Sequence, residues 1–117
     1  MKYALVNYEN PAAFDSRDGA GAAEYWDAWR AYTEAIRAAE ISAGGEALQP
    51  PALATVVRLN NGVRHVQDGP YADTREQMGG FIILDVPTLD DALDWAAKCP
   101  AAAYGAVEVR PVLGMDE

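Results

Sequence analysis

Residues Tyr3 to Tyr8 form a short β-prone run that Asn10-Pro11 stops, which predicts a first strand followed by a loop. From about Gly21 the period changes. Tyr25, Trp29, Tyr32, Ile36 and Ala39 recur at spacings of four, three, four and three, one stripe of a long helix that Gly44-Gly45 should end. Asp27, Arg30, Glu34 and Arg37 fall mostly off that stripe, as i,i+3 pairs of opposite charge suited to a solvated face. Beyond the helix, Gln49-Pro50-Pro51 is a break that no central strand tolerates, and it should divide a strand in two before the β-rich run Thr55 to Leu59. Asn61-Gly62 then signals a hairpin, because a type I′ turn needs positive φ at both central residues. With these two as the loop, Leu59 faces Arg64, Arg58 faces His65, Val57 faces Val66 and Thr55 faces Asp68.

Asp68-Gly69-Pro70 closes the hairpin, and Asp73 with Glu76 has the spacing of a capping box that would start one helical turn. Gly79-Gly80 then releases the chain into Phe81 to Leu84, a run apolar on both alternating faces and therefore expected to be a central strand covered on two sides. Thr88 and Asp91 cap a second helix, with Leu89, Ala92, Leu93 and Ala96 on its apolar face and an end near Cys99-Pro100. A last strand, Ala106 to Val112, turns Val107 and Val109 inward and Glu108 and Arg110 outward. This order predicts an α+β chain, a ferredoxin-like βαββαβ plan with an inserted hairpin, as a single domain over residues 1–117. Two helices can cover only one face of such a sheet. A second copy of the chain is the simplest cover for the other face, which predicts a homodimer.

Charge narrows the partners. The chain carries 9 Lys plus Arg against 18 Asp plus Glu, a net charge of −9, and Lys2 and Lys98 are its lysines, so direct nucleic-acid binding is not expected. Half the residues are hydrophobic, enough to offset the entropy of ordering and to exclude disorder as the main reading. Cys99, a lone cysteine, can form neither an internal disulfide nor a thiolate cluster. The amino terminus turns polar too early for a secretory signal, and no apolar run reaches the length of a membrane span; a cytoplasmic protein without membrane contact is the expectation.

Four motifs in order carry a family resemblance: Gly44-Gly45-Glu46-Ala47-Leu48-Gln49-Pro50-Pro51, Asp68-Gly69-Pro70-Tyr71, Thr74-Arg75-Glu76-Gln77-Met78-Gly79-Gly80-Phe81, and Val107-Glu108-Val109-Arg110-Pro111. They resemble the YCII-related, or DGPF-domain, family, over Tyr3 to Val112. The resemblance implies a dimeric α+β barrel of ferredoxin-like protomers. Some relatives are proposed enzymes with a His and an Asp facing a cleft; related barrels include lactone isomerases and a dehydrochlorinase of aromatic degradation; others look like accessory proteins of extracytoplasmic-function sigma factors. The chain departs from that pattern in two places. Tyr71 replaces the Phe of the family name, and the first long helix, near Trp29, holds no histidine to pair with an aspartate.

Asp68 is the leading candidate acid or base, since an aspartate beside Gly69-Pro70 is held rigidly, although such a residue also serves its own turn as an Asx acceptor. Glu46 is the second signature carboxylate, and two carboxylates within reach would form an acid and base pair. Arg75 could anchor an anionic substrate or form a surface ion pair. Tyr71, Trp29 and Tyr25 could line an apolar pocket, or, for the two helical residues, belong to the core. His65 faces Arg58 and is expected to point outward. No zinc motif, phosphate-binding glycine loop or nucleophile elbow is present, so no metal or cofactor is expected. Two functions follow: a cofactor-independent isomerase or lyase acting on a small organic molecule, with Asp68, Glu46 and Arg75 as its polar groups, or a non-catalytic dimer that binds a ligand or a protein partner.

Overall fold

The computed structural model describes residues 1–114. Six strands and four helices follow one another as β1 (Lys2–Glu9), α1 (Pro11–Ser16), α2 (Ala22–Ala38), β2 (Ser42–Ala47), β3 (Thr55–Asn60), β4 (Val63–Asp68), β5 (Gln77–Asp85), α3 (Leu89–Lys98), α4 (Ala101–Tyr104) and β6 (Gly105–Pro111), with a 3₁₀ turn at Pro51–Leu53. β2, β5, β1 and β6 form an antiparallel sheet in that order, and β3 with β4 forms a separate two-stranded ribbon. Each of β2 and β6 is reached through helices that cross an intervening strand, which is the ferredoxin-like plan expected from the sequence.

Strand alternation decides what is buried. Tyr3, Leu5, Asn7 and Glu9 of β1 all point to one face and are all buried, while Ala4, Val6 and Tyr8 on the other face are half-buried. On the first face Tyr3, Leu5 and Leu84 pack with Tyr32 and Ile36 of α2, and with Ala92 and Ala96 of α3. Val107 and Val109 of β6 close that core, inward as expected. The apolar side chains of Phe81 and Ile83 lie opposite Val6 and Ala4 on the second face, outside that core and half-exposed.

The hairpin register matches the expectation pair for pair, with Asn61 and Gly62 both at positive φ. Its surroundings were not foreseen. Every residue of β3 and β4 is exposed except half-buried Val56, and the radius of gyration is 16.0 Å, against roughly 13 Å for a compact domain of about 100 residues. The proline break does not divide one strand into collinear halves: β2 joins the main sheet, and β3 leaves it.

Four further expectations are corrected. Asn10-Pro11 ends β1 and also starts α1, because Asn10 accepts a hydrogen bond from the Ala13 amide at 2.9 Å and Pro11 is the first helical residue, where its missing N–H costs nothing. Gly44-Gly45 does not terminate the long helix, which ends at Ala38 before Glu40 at positive φ; the two glycines lie inside β2. Gly79-Gly80 likewise lies inside β5. Asp73 and Glu76 begin no helix. Thr74 and Gln77 instead spend their side chains on backbone carbonyls of that loop, Thr74 donating to Glu76 and Gln77 to Ala72 and Thr74. At Thr88 the expected cap is present: the hydroxyl accepts from the Asp91 amide at 3.2 Å and donates to its carboxylate.

Candidate functional site

The inward face of β1 ends in a charge. Glu9 is 1% exposed, and a carboxylate so placed needs charged or hydrogen-bonding partners. Arg17, just beyond α1, supplies an ion pair at 2.8 Å to Oε2, and the Tyr25 hydroxyl of α2 donates to Oε1 at 2.5 Å. Arg17 Nε donates to the Tyr25 oxygen at 3.1 Å, closing a three-membered ring of contacts. The same guanidinium reaches the carbonyls of Leu48 and Gly79, tying the ends of β2 and β5 to the helical corner. Burial alone would lower the Arg17 pKa, but its contacts with Tyr25 and Glu9 outweigh that and raise it. Burial, then the bond to Glu9, raises that of the Tyr25 hydroxyl. Room for the network depends on Gly79: a Cβ there would stand 1.9 Å from Glu9 Oε2.

Beside the network, between α2 and the β2–β5 half of the sheet, lies a cleft of about 440 Å³. The glycines create it. Gly79, Gly80, Gly44 and Gly45 border it and place backbone where side chains would otherwise fill the space under α2. Close strand pairing also holds two of them: a Cβ on Gly80 would approach the Glu46 carbonyl to 2.7 Å, and one on Gly45, at φ +148°, would approach the Phe81 carbonyl to 2.6 Å. Tyr25, Trp29 and Ile36 give the helical wall its apolar character, and Arg30 and Arg37 stand on the rim. Trp29 is oriented by a hydrogen bond from its indole N–H to the Tyr104 hydroxyl at 3.0 Å.

Asn7 sits in the floor, 3% exposed, directly across from Gly80 in the β1–β5 pairing. Its Oδ1 accepts from the Cys99 thiol at 3.5 Å. Burial pushes that thiol up to about 11, so Cys99 stays a donor at neutral pH and the Asn7 amide turns its NH₂ elsewhere.

A family model for the YCII-related domain matches residues 1–116. The chain belongs to the YCII-related family. A curated relative, an uncharacterized protein of Rhizobium meliloti (strain 1021), is 42% identical over 67 residues, a match spanning 56% of this chain and 54% of the relative, so the chain matches only about half the length of that protein. Among solved structures, 5-chloro-2-hydroxyhydroquinone dehydrochlorinase from Burkholderia phenoliruptrix, in complex with 2,5-dihydroxybenzoquinone, has a TM-score of 0.57 at 16% identity over 97% of this chain and 94% of that one. At that identity the likeness establishes the shared ferredoxin-like fold.

Of the residues singled out in the sequence of this YCII-related chain, Tyr25, Trp29 and Glu46 border the cleft. Glu46 pairs with Phe81 on exposed β2, so strand alternation places it with the second face of the sheet. Asp68, Tyr71 and Arg75 lie outside the cleft lining. Asp68 is exposed at the end of β4; Tyr71 is exposed in a second groove, which Pro50, Leu53 and Pro70 also line, with the Arg58 guanidinium 4.9 Å from its ring; and Arg75 borders a shallow depression with Tyr8 and Glu108. Sequence reasoning missed Glu9, Arg17 and Asn7. A signal existed for two of them, since Asn7 and Glu9 continue the inward period of Tyr3 and Leu5 and so had to be buried polar groups with partners. Among the described residues no cluster of His, Cys, Asp and Glu suits a metal ion, and no helix is long and apolar enough to cross a membrane.

Proposed function

We propose that this YCII-related protein is a cofactor-independent enzyme, an isomerase or lyase that moves a proton on a small oxygenated organic molecule held in the cleft under α2. One observation carries the reading: a glycine-floored, aromatic-walled cleft ends against a buried carboxylate, guanidinium and phenol in mutual contact. Such a site combines apolar surface with a few fixed polar groups, the usual composition of a small-molecule pocket. Tyr25, backed by Glu9 and Arg17, is the proton-handling group of the inner end; Trp29 binds the ring; Glu46, whose side chain falls on the second face of the sheet, takes no part in the cleft of its own protomer. The structural neighbour's ligand, 2,5-dihydroxybenzoquinone, has a size and oxygen content suited to this space and is the first probe to test.

The homodimer belongs to the same proposal. The half-exposed row of Ala4, Val6, Phe81 and Ile83 has no helix over it, and a second copy would cover it with its own like row. Asp68, Tyr71 and Arg75 enter the chemistry only if that pairing brings them to a cleft. A cytoplasmic location accords with the lone buried thiol.

Titrating 2,5-dihydroxybenzoquinone while following tryptophan emission tests the reading, because Trp26 and Trp29 border the cleft. Saturable quenching that Thr33→Trp abolishes by filling the cleft is expected. Quenching that is linear, or unchanged in Thr33→Trp, would overturn it. A second reading, a non-catalytic partner-binding accessory protein, is favoured by the exposed hairpin, whose Val57, Leu59 and Val66 share one face at 59%, 73% and 51% exposure.

A further inference from the structure

The donors around the cleft are almost all in use. Arg17 spends its guanidinium on Glu9, Tyr25 and the carbonyls of Leu48 and Gly79. Tyr25 gives its proton to Glu9, the Trp26 indole N–H goes to the Arg17 carbonyl, and that of Trp29 goes to Tyr104. Asn7 differs. Its carbonyl oxygen takes the Cys99 thiol, but its Nδ2 has no hydrogen-bond partner among the described residues, although the residue is 97% buried (3% exposed). Since no fully enclosed side-chain nitrogen or oxygen is left without a partner there, that NH₂ retains an opening, and the opening lies on the cleft that Asn7 lines, where its cross-strand neighbour Gly80 has no side chain to cover it.

We infer that the Asn7 side-chain amide is the specificity-determining donor of the cleft, receiving an anionic or carbonyl oxygen on the inner edge of a small planar ligand. This rests on the proposed ligand-binding role of the cleft and goes further by naming the group that selects the ligand. An unpaired buried donor penalises any occupant that cannot accept from it, so an oxygen-bearing ring is selected over one of equal size without an acceptor. Arg30 and Arg37 at the rim favour an anion in the same direction, although each is also paired on α2, with Asp27 and Glu34. Cys99 is a positioning residue: by donating to Oδ1 it turns the NH₂ toward the cleft.

Two probes of similar size test the inference by calorimetry: benzoate, which presents anionic oxygens, and indole, which presents only an N–H. The unaltered protein is expected to bind benzoate saturably, and Thr33→Trp to block it. Asn7→Leu should weaken benzoate about 10-fold to 100-fold, the effect of losing one hydrogen bond to a charged group, and tighten indole, because the donor that indole leaves unpaired is gone. Should Asn7→Leu fail to fold, the side-chain amide resonance of Asn7 in the unaltered protein decides the matter, moving on addition of benzoate and staying still with indole. Equal weakening of both probes, or an unmoved amide during saturable benzoate binding, overturns the Asn7 assignment while leaving the cleft a binding site. No saturable binding of either probe overturns both.

Discussion

The hairpin and the inner half of the main sheet are both built from short antiparallel strands that carry branched aliphatic side chains, yet they end in opposite environments. Leu5 and Leu84 are fully buried, while Val57 and Leu59 stay mostly in water. The difference is what arrives on top. Helices α2 and α3 bring Tyr32, Ile36, Ala92 and Ala96 onto the sheet, whereas the Pro50-Pro51 break steers β3 away from it before anything can cover the ribbon. A residue's own alternation therefore says which face it takes, and only a neighbouring element decides whether that face is dry.

The largest effect is expected at the charged end of the buried face. Glu9→Ala should cost about 3–5 kcal/mol, because it strands a mostly buried guanidinium, and chemical denaturation would measure it. Gly79→Ala should lower stability in the same direction by driving a Cβ against the Glu9 carboxylate. If either variant unfolds at the unaltered midpoint, the network does not hold the corner. Next in size, Leu5→Ala should cost about 2–5 kcal/mol through the cavity it leaves, against less than about 0.5 kcal/mol for Val57→Thr on the wet hairpin. A comparable loss at Val57 would mean that the hairpin is covered in solution.

Alkaline pH offers a third contrast. The Cys99 thiol is raised by burial from 9.0 to about 11, so the folded state holds its proton more tightly than the unfolded state does. Its stabilising contribution is complete below pH 9 and disappears as pH rises from about 9 to 11. Cys99→Ala should flatten the fall in melting temperature across that window; an unaltered slope would assign it to other groups. The smallest effect is expected at the surface: Arg30→Gln removes an exposed i,i+3 pair with Asp27 and should change stability by less than about 1 kcal/mol.

How much was legible varied with the range of the interaction. Asn61-Gly62 specified the hairpin register because a two-residue turn leaves only one pairing. The Thr88 cap was legible for the same reason, its partner lying three residues away. Asn10-Pro11 was ambiguous, since a residue pair that stops a strand can equally begin a helix, and only the Ala13 amide within reach distinguished the two. Gly44-Gly45 and Gly79-Gly80 were misread as punctuation because what they permit, close strand pairing at Gly45 and Gly80, room for the Glu9 carboxylate at Gly79 and the open space of the cleft, lies across the sheet from them.

By itself, then, the order of apolar and polar positions determined the α+β plan, the strand faces and the hairpin pairing, all of which follow from periods of two and 3.6 residues and from local turns. Tertiary structure alone decided that Glu9, Arg17 and Tyr25 meet, that Asn7 lies in the floor of a cleft, and that Asp68 and Glu46 stand apart from its inner end. Those placements join residues from different strands and helices, and no spacing along the chain encodes a distance across a sheet.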